Sequence, residues 1–127
     1  MDASVAVEYL LRTPLGEAVA SRIESEALVA PELLDAEALA VFRRGVRTGE
    51  LGTDRAETAI ADLVSWGLRR LPHAPLLRKA WEYRQNVTAY DALYLAAASL
   101  FRAPILTADG PLARAPVTGV LVEIVRV

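Results

Sequence analysis

The second half of the chain contains Val87-Thr-Ala-Tyr-Asp-Ala-Leu-Tyr-Leu-Ala-Ala-Ala-Ser-Leu-Phe101, an apolar, helix-like run with a single charged residue, Asp91. A helix that is apolar on every side is normally buried, and an unpaired carboxylate buried with it costs several kcal/mol. Thr88 is a suitable N-cap, which puts Asp91 in the first turn, where the helix dipole favours a negative charge. The sequence therefore predicts a buried helix whose one carboxylate is hydrogen-bonded, paired or bound to a metal ion.

Three further acids belong to the same hypothesis: Asp2, Glu37 and Asp109. Asp109 follows the apolar run Pro104-Ile-Leu-Thr107, as expected of a residue at the C-terminal end of a buried strand. If the four acids share one pocket, each pair about 5 Å apart repels by about 3 kcal/mol at an effective dielectric constant of about 20. A divalent cation would remove that repulsion. The alternative explanation is that each acid only caps a helix or a turn and that the four do not share a pocket.

Composition narrows the class of protein and the kind of metal. The 127 residues are most simply one domain, 1–127, and the hydrophobic content of 54% with a mean hydropathy of +0.28 favours a homodimer or an obligate partner. Cysteine is absent and His73 is the one histidine, so thiolate and histidine-rich zinc sites are excluded. Oxygen ligands remain, and they suit Mg²⁺ or Mn²⁺. Neither a membrane span nor a signal peptide is indicated, so we expect a cytoplasmic protein.

The charge balance leaves room for a ligand that carries phosphate. The net charge is -2, but neutralising four acids by metal would leave twelve against fourteen basic residues, of which thirteen are Arg. The Arg fork can bind two phosphate oxygens at once. Arg43, Arg44 and Arg84 are the candidates for binding phosphate, although solvated helix faces and charges that complement the helix dipole more often explain such clusters.

Short strands alternate with helices along the chain. We predict strands at 27–30, 68–71, 105–107 and 120–125, and helices at 4–11, 14–23, 31–47, 53–66, 75–85 and 88–101. Such alternation predicts an α/β fold with a parallel sheet covered on both faces. Sites in these sheets form beyond the C-terminal ends of the strands, where Asp2, Asp91 and Asp109 fit. On the helix over 31–47, periodicity cannot choose between Asp35 and Glu37.

A family resemblance covers nearly the whole chain. It is carried by Asp2-Ala-Ser4, by Pro31-Glu-Leu-Leu-Asp-Ala-Glu37, by Arg84-Gln-Asn-Val-Thr-Ala-Tyr-Asp91-Ala-Leu-Tyr, and by Leu106-Thr-Ala-Asp109 followed by Leu112-Ala. In order and spacing these segments resemble the PIN domain and, more narrowly, the VapC toxins of bacterial toxin-antitoxin pairs.

The resemblance implies a three-layer α/β/α fold with a central, mostly parallel sheet, and a Mg²⁺- or Mn²⁺-dependent endoribonuclease whose partner is a cognate antitoxin. It places the catalytic, metal-binding quartet on Asp2, Glu37, Asp91 and Asp109, and thereby selects Glu37 over Asp35. Ser4 and Thr107 match the hydroxyl residues that support the quartet.

One departure from the family pattern concerns the first strand. In the family the first Asp ends an apolar strand, whereas here only Met1 precedes Asp2, so the first strand is expected to be truncated. We expect the fully active form to begin upstream of Met1, and a chain that starts at Met1 to hold Asp2 loosely. This motivates an alternative function, a catalytically impaired PIN-like interaction module that binds an antitoxin or RNA. A Mg²⁺ phosphatase of another α/β family is a third hypothesis, but its strand-loop context is not seen.

Overall fold

The computed structural model describes residues 1–114 and 120–124, and its strands are short and parallel. Strand β1 (Val29–Pro31) pairs with β2 (Arg69–Leu71), and β3 (Ile105–Thr107) pairs with β4 (Val122–Ile124). The predicted continuous sheet is therefore divided into two parallel pairs. The last residue of the strand predicted over 120–125 lies outside the described residues.

The helices alternate with these strands as predicted. They are α1 (Ala3–Leu10), α2 (Pro14–Ser25), α3 (Leu33–Thr48), α4 (Thr53–Ser65), α5 (Leu77–Trp81), α6 (Ala89–Phe101) and α7 (Gly110–Ala113). The Thr13 hydroxyl caps α2 by accepting the Gly16 N–H at 3.2 Å, and Gly49 ends α3 with a left-handed φ of 80°. No helix within residues 1–114 and 120–124 is long and apolar enough to cross a membrane.

Three layers result from the way in which α6 packs. Every residue from Ala92 to Ala98 is buried, as expected for a helix without a polar face. Helix α6 contacts both β1 and β3, while α3 packs on β1 and α1 packs on β3. The strands thus have helices on both faces, and α6 joins the two strand pairs. This is the predicted α/β/α arrangement.

The beginning of the chain is held more firmly than the sequence predicted. The Asp2 N–H donates to the Leu106 carbonyl at 3.0 Å, and Met1 is buried in the core. The predicted first strand is reduced to this one backbone bond to β3. Because Asp2 is only 5% exposed, the expectation that it is held loosely is wrong.

Two helix boundaries also differ from the sequence prediction. Helix α1 begins at Ala3 instead of residue 4, because Asp2 caps it by accepting the Val5 N–H at 3.4 Å. The helix predicted over 75–85 is divided into a 3-10 turn, Ala74–Leu76, and the short α5. After Trp81 the chain tightens through i→i−3 bonds, such as that from the Arg84 N–H to the Trp81 carbonyl at 3.2 Å.

Candidate active site

Asp2 is the buried centre of the candidate site. The Ser4 hydroxyl donates to Asp2 Oδ1 at 2.6 Å, and the Thr107 hydroxyl donates to Oδ2 at 2.5 Å. The Val5 N–H adds a weaker bond to Oδ1. Burial of a carboxylate is tolerated when such donors replace water. Asp2 is thus almost inaccessible to solvent with both acceptor positions of Oδ1 occupied, and Oδ2 keeps one acceptor position that these bonds do not use.

The same two hydroxyls fix the backbone that follows β3. The Ala108 N–H donates to Ser4 Oγ, and the Asp109 N–H donates to Thr107 Oγ1, both at 2.9 Å. Ser4 and Thr107 therefore connect Asp2 to the segment that carries Asp109. Thr107 has an exposed fraction of 0%, so this connection is shielded from solvent. Both residues named as supporting in the sequence lie where they can perform that role.

Glu37 and Asp35, which periodicity could not separate, have different partners. The Asp35 carboxylate binds Arg70 Nε of β2 at 2.7 Å, and Arg70 also donates to the Leu63 carbonyl at 2.5 Å. Asp35 is therefore part of a structural contact between α3, α4 and β2. Glu37 instead accepts a hydrogen bond of 2.6 Å from the Tyr94 hydroxyl of α6. The pair on α3 thus divides into one structural acid and one acid at the candidate site.

Tyr94 is a site residue whose role sequence reasoning missed. Tyr94 is buried in the core at 3% exposure, and its hydroxyl holds Glu37. Burial first, and then the hydrogen bond to Glu37, raise the pKa of Tyr94 well above its ordinary value, so it remains a proton donor. The available signal was its spacing, since Tyr94 lies three residues after Asp91 and thus on the same side of α6.

Asp91 lies in the first turn of α6, where the Thr88 hydroxyl accepts its N–H at 3.1 Å. Thr88 is therefore the cap of this helix. Burial raises the pKa of Asp91, and the charges of Asp109, Asp2 and Glu37 raise it further, whereas a hydrogen bond between the Thr88 side chain and the Asp91 carboxylate lowers it. Four acids from separate parts of the chain therefore act on one another through space.

The four carboxylates are not drawn tightly together. In the part of the chain that the structure describes, no three acidic or histidine side chains converge closely enough to hold one metal ion. Like charges without a counter-ion repel, and Glu37, Asp91 and Asp109 are partly exposed, which leaves their side chains room to separate. The donor chemistry is that of a hard cation, since every candidate ligand atom is a carboxylate oxygen.

The three Arg candidates occupy different surroundings. Arg44 lines a cavity of about 450 Å³ together with Glu37, Ser4 and Ala108. Arg43, the next residue, is exposed and does not line that cavity. Arg84 is stacked against Trp81 at 4.9 Å. Arg44 is thus the candidate that shares a cavity with one of the acids, Glu37.

His73 has a structural contact. Its Nε2 accepts the Leu33 N–H at 3.0 Å, at the first residue of α3. The first N–H groups of a helix have no partner within the helix, so this bond satisfies one of them. The single histidine thus stabilises the start of the helix that carries Glu37.

Comparison with known proteins identifies the class of protein that this fold and site define. The family model of the PIN domain matches residues 1–117, so the chain belongs to the PIN domain family. Within that family it is similar to Ribonuclease VapC1 of Mycobacterium tuberculosis, with 37% identity over 128 residues, covering 99% of this chain and 96% of that protein. It is 34% identical over 114 residues to Ribonuclease VapC12 of the same species, covering 90% of this chain and 88% of that protein. Ribonuclease VapC3, also of that species, is 35% identical over 116 residues, which are 91% of this chain and 85% of that protein.

Proposed function

We propose that this protein is a divalent-metal-dependent endoribonuclease, the toxin of a toxin-antitoxin pair, which cleaves RNA phosphodiesters in the cytoplasm. The observation that carries the proposal is the arrangement of the four acids: Asp109, Asp2 and Glu37 lie close enough to act on Asp91 through their charges, while hydroxyl groups hold Asp2 and Glu37 in place. A cluster of uncompensated carboxylates destabilises a fold, so a function that needs it is the simplest reason for its presence. The ribonuclease names of the relatives support the choice of substrate.

Mg²⁺ or Mn²⁺ is the cofactor that this donor set fits. Asp2, Glu37, Asp91 and Asp109 would hold it, and all of them offer the carboxylate oxygens that these cations prefer. When bound, the cation lowers the pKa of an attacking water and neutralises charge on the phosphate. Neutralisation would also relieve the repulsion that raises the pKa of Asp91.

The chain's own residues provide positioning and charge. Ser4 and Thr107 hold the Asp2 carboxylate and the backbone of Asp109 in one hydrogen-bonded unit. Tyr94 holds Glu37. Arg44, in the cavity beside Glu37 and Ser4, would bind a phosphate oxygen of the RNA. Arg43 and Arg84 would extend this phosphate contact to either side.

A protein partner follows from the same charges. An antitoxin segment that inserts Arg or Lys among the four carboxylates would compete with the metal and satisfy both signs of charge. The chain would act as a homodimer, as its 54% hydrophobic content favours. Co-expression with the upstream gene, followed by light scattering of the purified toxin and of the complex, measures both associations.

A second candidate function is a catalytically impaired PIN-like module that binds an antitoxin or RNA without cutting it. It is favoured by one observation, that no three acids converge on a single point in the described residues. A measurement of metal binding distinguishes the two candidate functions. The nuclease should bind the cation with its carboxylates, whereas a module that has lost catalysis has no need to gather them around a cation.

The experiment measures RNA cleavage with Mg²⁺, with Mn²⁺ and with EDTA, in the parent and in matched variants. Cleavage should require the metal, and Glu37→Gln or Asp91→Asn should reduce it about a hundredfold or more, a loss of about 3 kcal/mol in transition-state stabilisation. Glu57→Gln is the matched control, because Glu57 is exposed on α4 and does not border the acids. Cleavage that is unaffected by EDTA, or a parent that binds RNA and never cuts it, would reject the proposal.

A further inference from the structure

A cavity of about 450 Å³ lies between α1 and α3, and one end of it belongs to the candidate active site. Ser4, Glu37 and Ala108 line that end. The Ser4 hydroxyl donates to Asp2 at 2.6 Å, and the Ala108 N–H donates to Ser4 Oγ at 2.9 Å. The volume is within the range of small-ligand sites, about 300 to 1,000 Å³. A nucleotide whose phosphate lies at the acids can therefore extend into this cavity.

The other end of the cavity carries two opposite charges, Glu8 of α1 and Arg44 of α3. Within the described residues, neither of them belongs to an ion pair. The Thr13 hydroxyl donates to Glu8 Oε2, and Glu8 Oε1 has no donor in the part of the chain that the structure describes. Glu8 lies about one helical turn beyond Ser4, a rise of about 6 Å. A ribose separates a base from its phosphate by a comparable length, so the base of such a nucleotide would lie at Glu8.

The walls between the two ends are small and apolar. They are formed by Ala3 and Val7 of α1 and by Ala40 and Val41 of α3. Side chains of this size leave room for a flat ring and offer no hydrogen-bonding group of their own. Selection among bases in this cavity therefore depends on the charged residues at its far end.

The Glu8 carboxylate selects for hydrogen-bond donors, because an ionised carboxylate can only accept. Guanine presents two adjacent donors, N1–H and N2–H, on its Watson–Crick edge. Adenine and cytosine have an acceptor nitrogen beside the amino group, and uracil has a carbonyl oxygen on each side of its single N–H, so each would bring an acceptor against the carboxylate. Glu8 Oε1 and the remaining acceptor position of Oε2 match the two donors of guanine.

We propose that this cavity binds a guanine base of the RNA, whose N1–H and N2–H groups donate to the Glu8 carboxylate while Arg44 contacts the phosphate of the same nucleotide. The inference rests on the proposed ribonuclease function and deepens it, because it assigns the base that the site prefers beside the cleaved bond. Glu8 is then a residue that determines specificity and takes no part in the chemical step.

The test measures the binding of fluorescein-labelled RNA hexamers by fluorescence anisotropy with Mg²⁺, in Asp91→Asn so that the RNA stays intact. Replacing one adenosine of hexaadenylate by guanosine should tighten binding roughly 10-fold to 100-fold, the usual discrimination of a contact with two hydrogen bonds to a base. Inosine at the same position keeps N1–H but lacks the exocyclic amino group, so it should lose most of this gain.

Glu8→Gln, added to the same protein, separates base recognition from structure, because its amide oxygen still accepts the Thr13 hydroxyl. Its amide nitrogen donates, which suits the donor and acceptor edge of adenine. Hexaadenylate should then bind as tightly as the guanosine hexamer or more tightly. Glu57→Gln, exposed on α4, is the matched control and should keep the preference for guanosine. Ala40→Leu, at an exposed position of the cavity wall, should fill the cavity and remove the preference while the bond between Glu8 and Thr13 is kept.

The possible failures are distinguishable. Equal weakening of every hexamer in Glu8→Gln would show that Glu8 only holds Thr13 at the start of α2, and would overturn the proposal. A preference for guanosine, lost in Glu8→Gln, together with a parent that never cuts RNA with Mg²⁺, would support the base site and reject the proposed nuclease. Metal-dependent cleavage by the parent without a preference for guanosine, or without binding of any hexamer, would reject the base site alone.

Discussion

Replacing Thr107 by Val tests whether the hydroxyl at the end of β3 organises the site. The substitution keeps the shape of a fully buried side chain but removes the donor to Asp2 Oδ2 at 2.5 Å and the acceptor of the Asp109 N–H at 2.9 Å. A hydrogen bond to a charged group contributes about 1.5 to 3 kcal/mol, and a buried group left without its partner costs a similar amount. Because Asp109 is partly exposed, water can replace part of the second bond. We therefore expect Thr107→Val to lose about 2 to 4 kcal/mol of unfolding free energy.

Thr107→Ser is the matched control, since it keeps the hydroxyl and loses one buried methyl group, worth about 1 kcal/mol. Urea unfolding followed by circular dichroism measures both variants, and RNA cleavage is measured at a temperature where both are folded. Thr107→Val should cleave at least tenfold more slowly than Thr107→Ser, because Asp109 is no longer tied to Asp2. Equal urea midpoints for the two variants would refute the reasoning, since the hydroxyl would then contribute nothing that the methyl group does not.

Three further substitutions examine separate parts of the fold. Asp91→Asn should leave the metal-free protein as stable as the parent or more stable. Because the pKa of Asp91 is raised, the folded parent binds the Asp91 proton more tightly than the unfolded chain does. The stability of the parent should therefore fall as the pH rises from the ordinary aspartate range through the raised pKa. Thermal melts measured across this pH range should show no such fall in Asp91→Asn. Gly16→Ala should lower the free energy of unfolding, measured in urea, by about 3 kcal/mol, because a Cβ there would lie 2.1 Å from the backbone oxygen of Glu8. A variant as stable as the parent would show that α1 and α2 separate freely. Asp35→Asn should lower the free energy of unfolding by about 1 kcal/mol, since the partly exposed ion pair of Asp35 with Arg70 is screened by solvent. RNA cleavage should be unchanged. A cleavage defect as large as that of Glu37→Gln would reverse the assignment of the two acids on α3.

Local sequence patterns were sufficient to predict the structure of segments whose conformation depends mainly on their own residues. The apolar run that contains Asp91 became α6, with Thr88 as its cap, because a sequence with no polar face can only be buried. The strand over 105–107 has the predicted bounds, and all three of its residues are buried. Pro14 begins α2, because the ring of proline restricts φ to a value that suits the first turn of a helix. Gly49 ends α3, because glycine without a side chain can adopt the left-handed φ that ends a helix.

Other features needed partners that are distant in the chain. Asp35 and Glu37 are equivalent by helical spacing, and the difference between them is that one meets Arg70 of β2 and the other meets Tyr94 of α6. No local pattern contains either partner. In the same way, the link between Asp2 and Thr107 joins residues 105 positions apart.

By itself, the sequence determined the alternating α/β order, the buried helix α6 and the family to which the chain belongs. The tertiary structure decided that the strands form two pairs joined by α6, that Asp2 is fixed by two hydroxyls, and that Trp81 and Tyr90 remain open to solvent. The physical reason is one of range. Backbone preferences and hydrophobic periodicity act over a few residues, whereas burial and side-chain hydrogen bonds depend on which distant segments meet, and that is fixed only when the whole core packs.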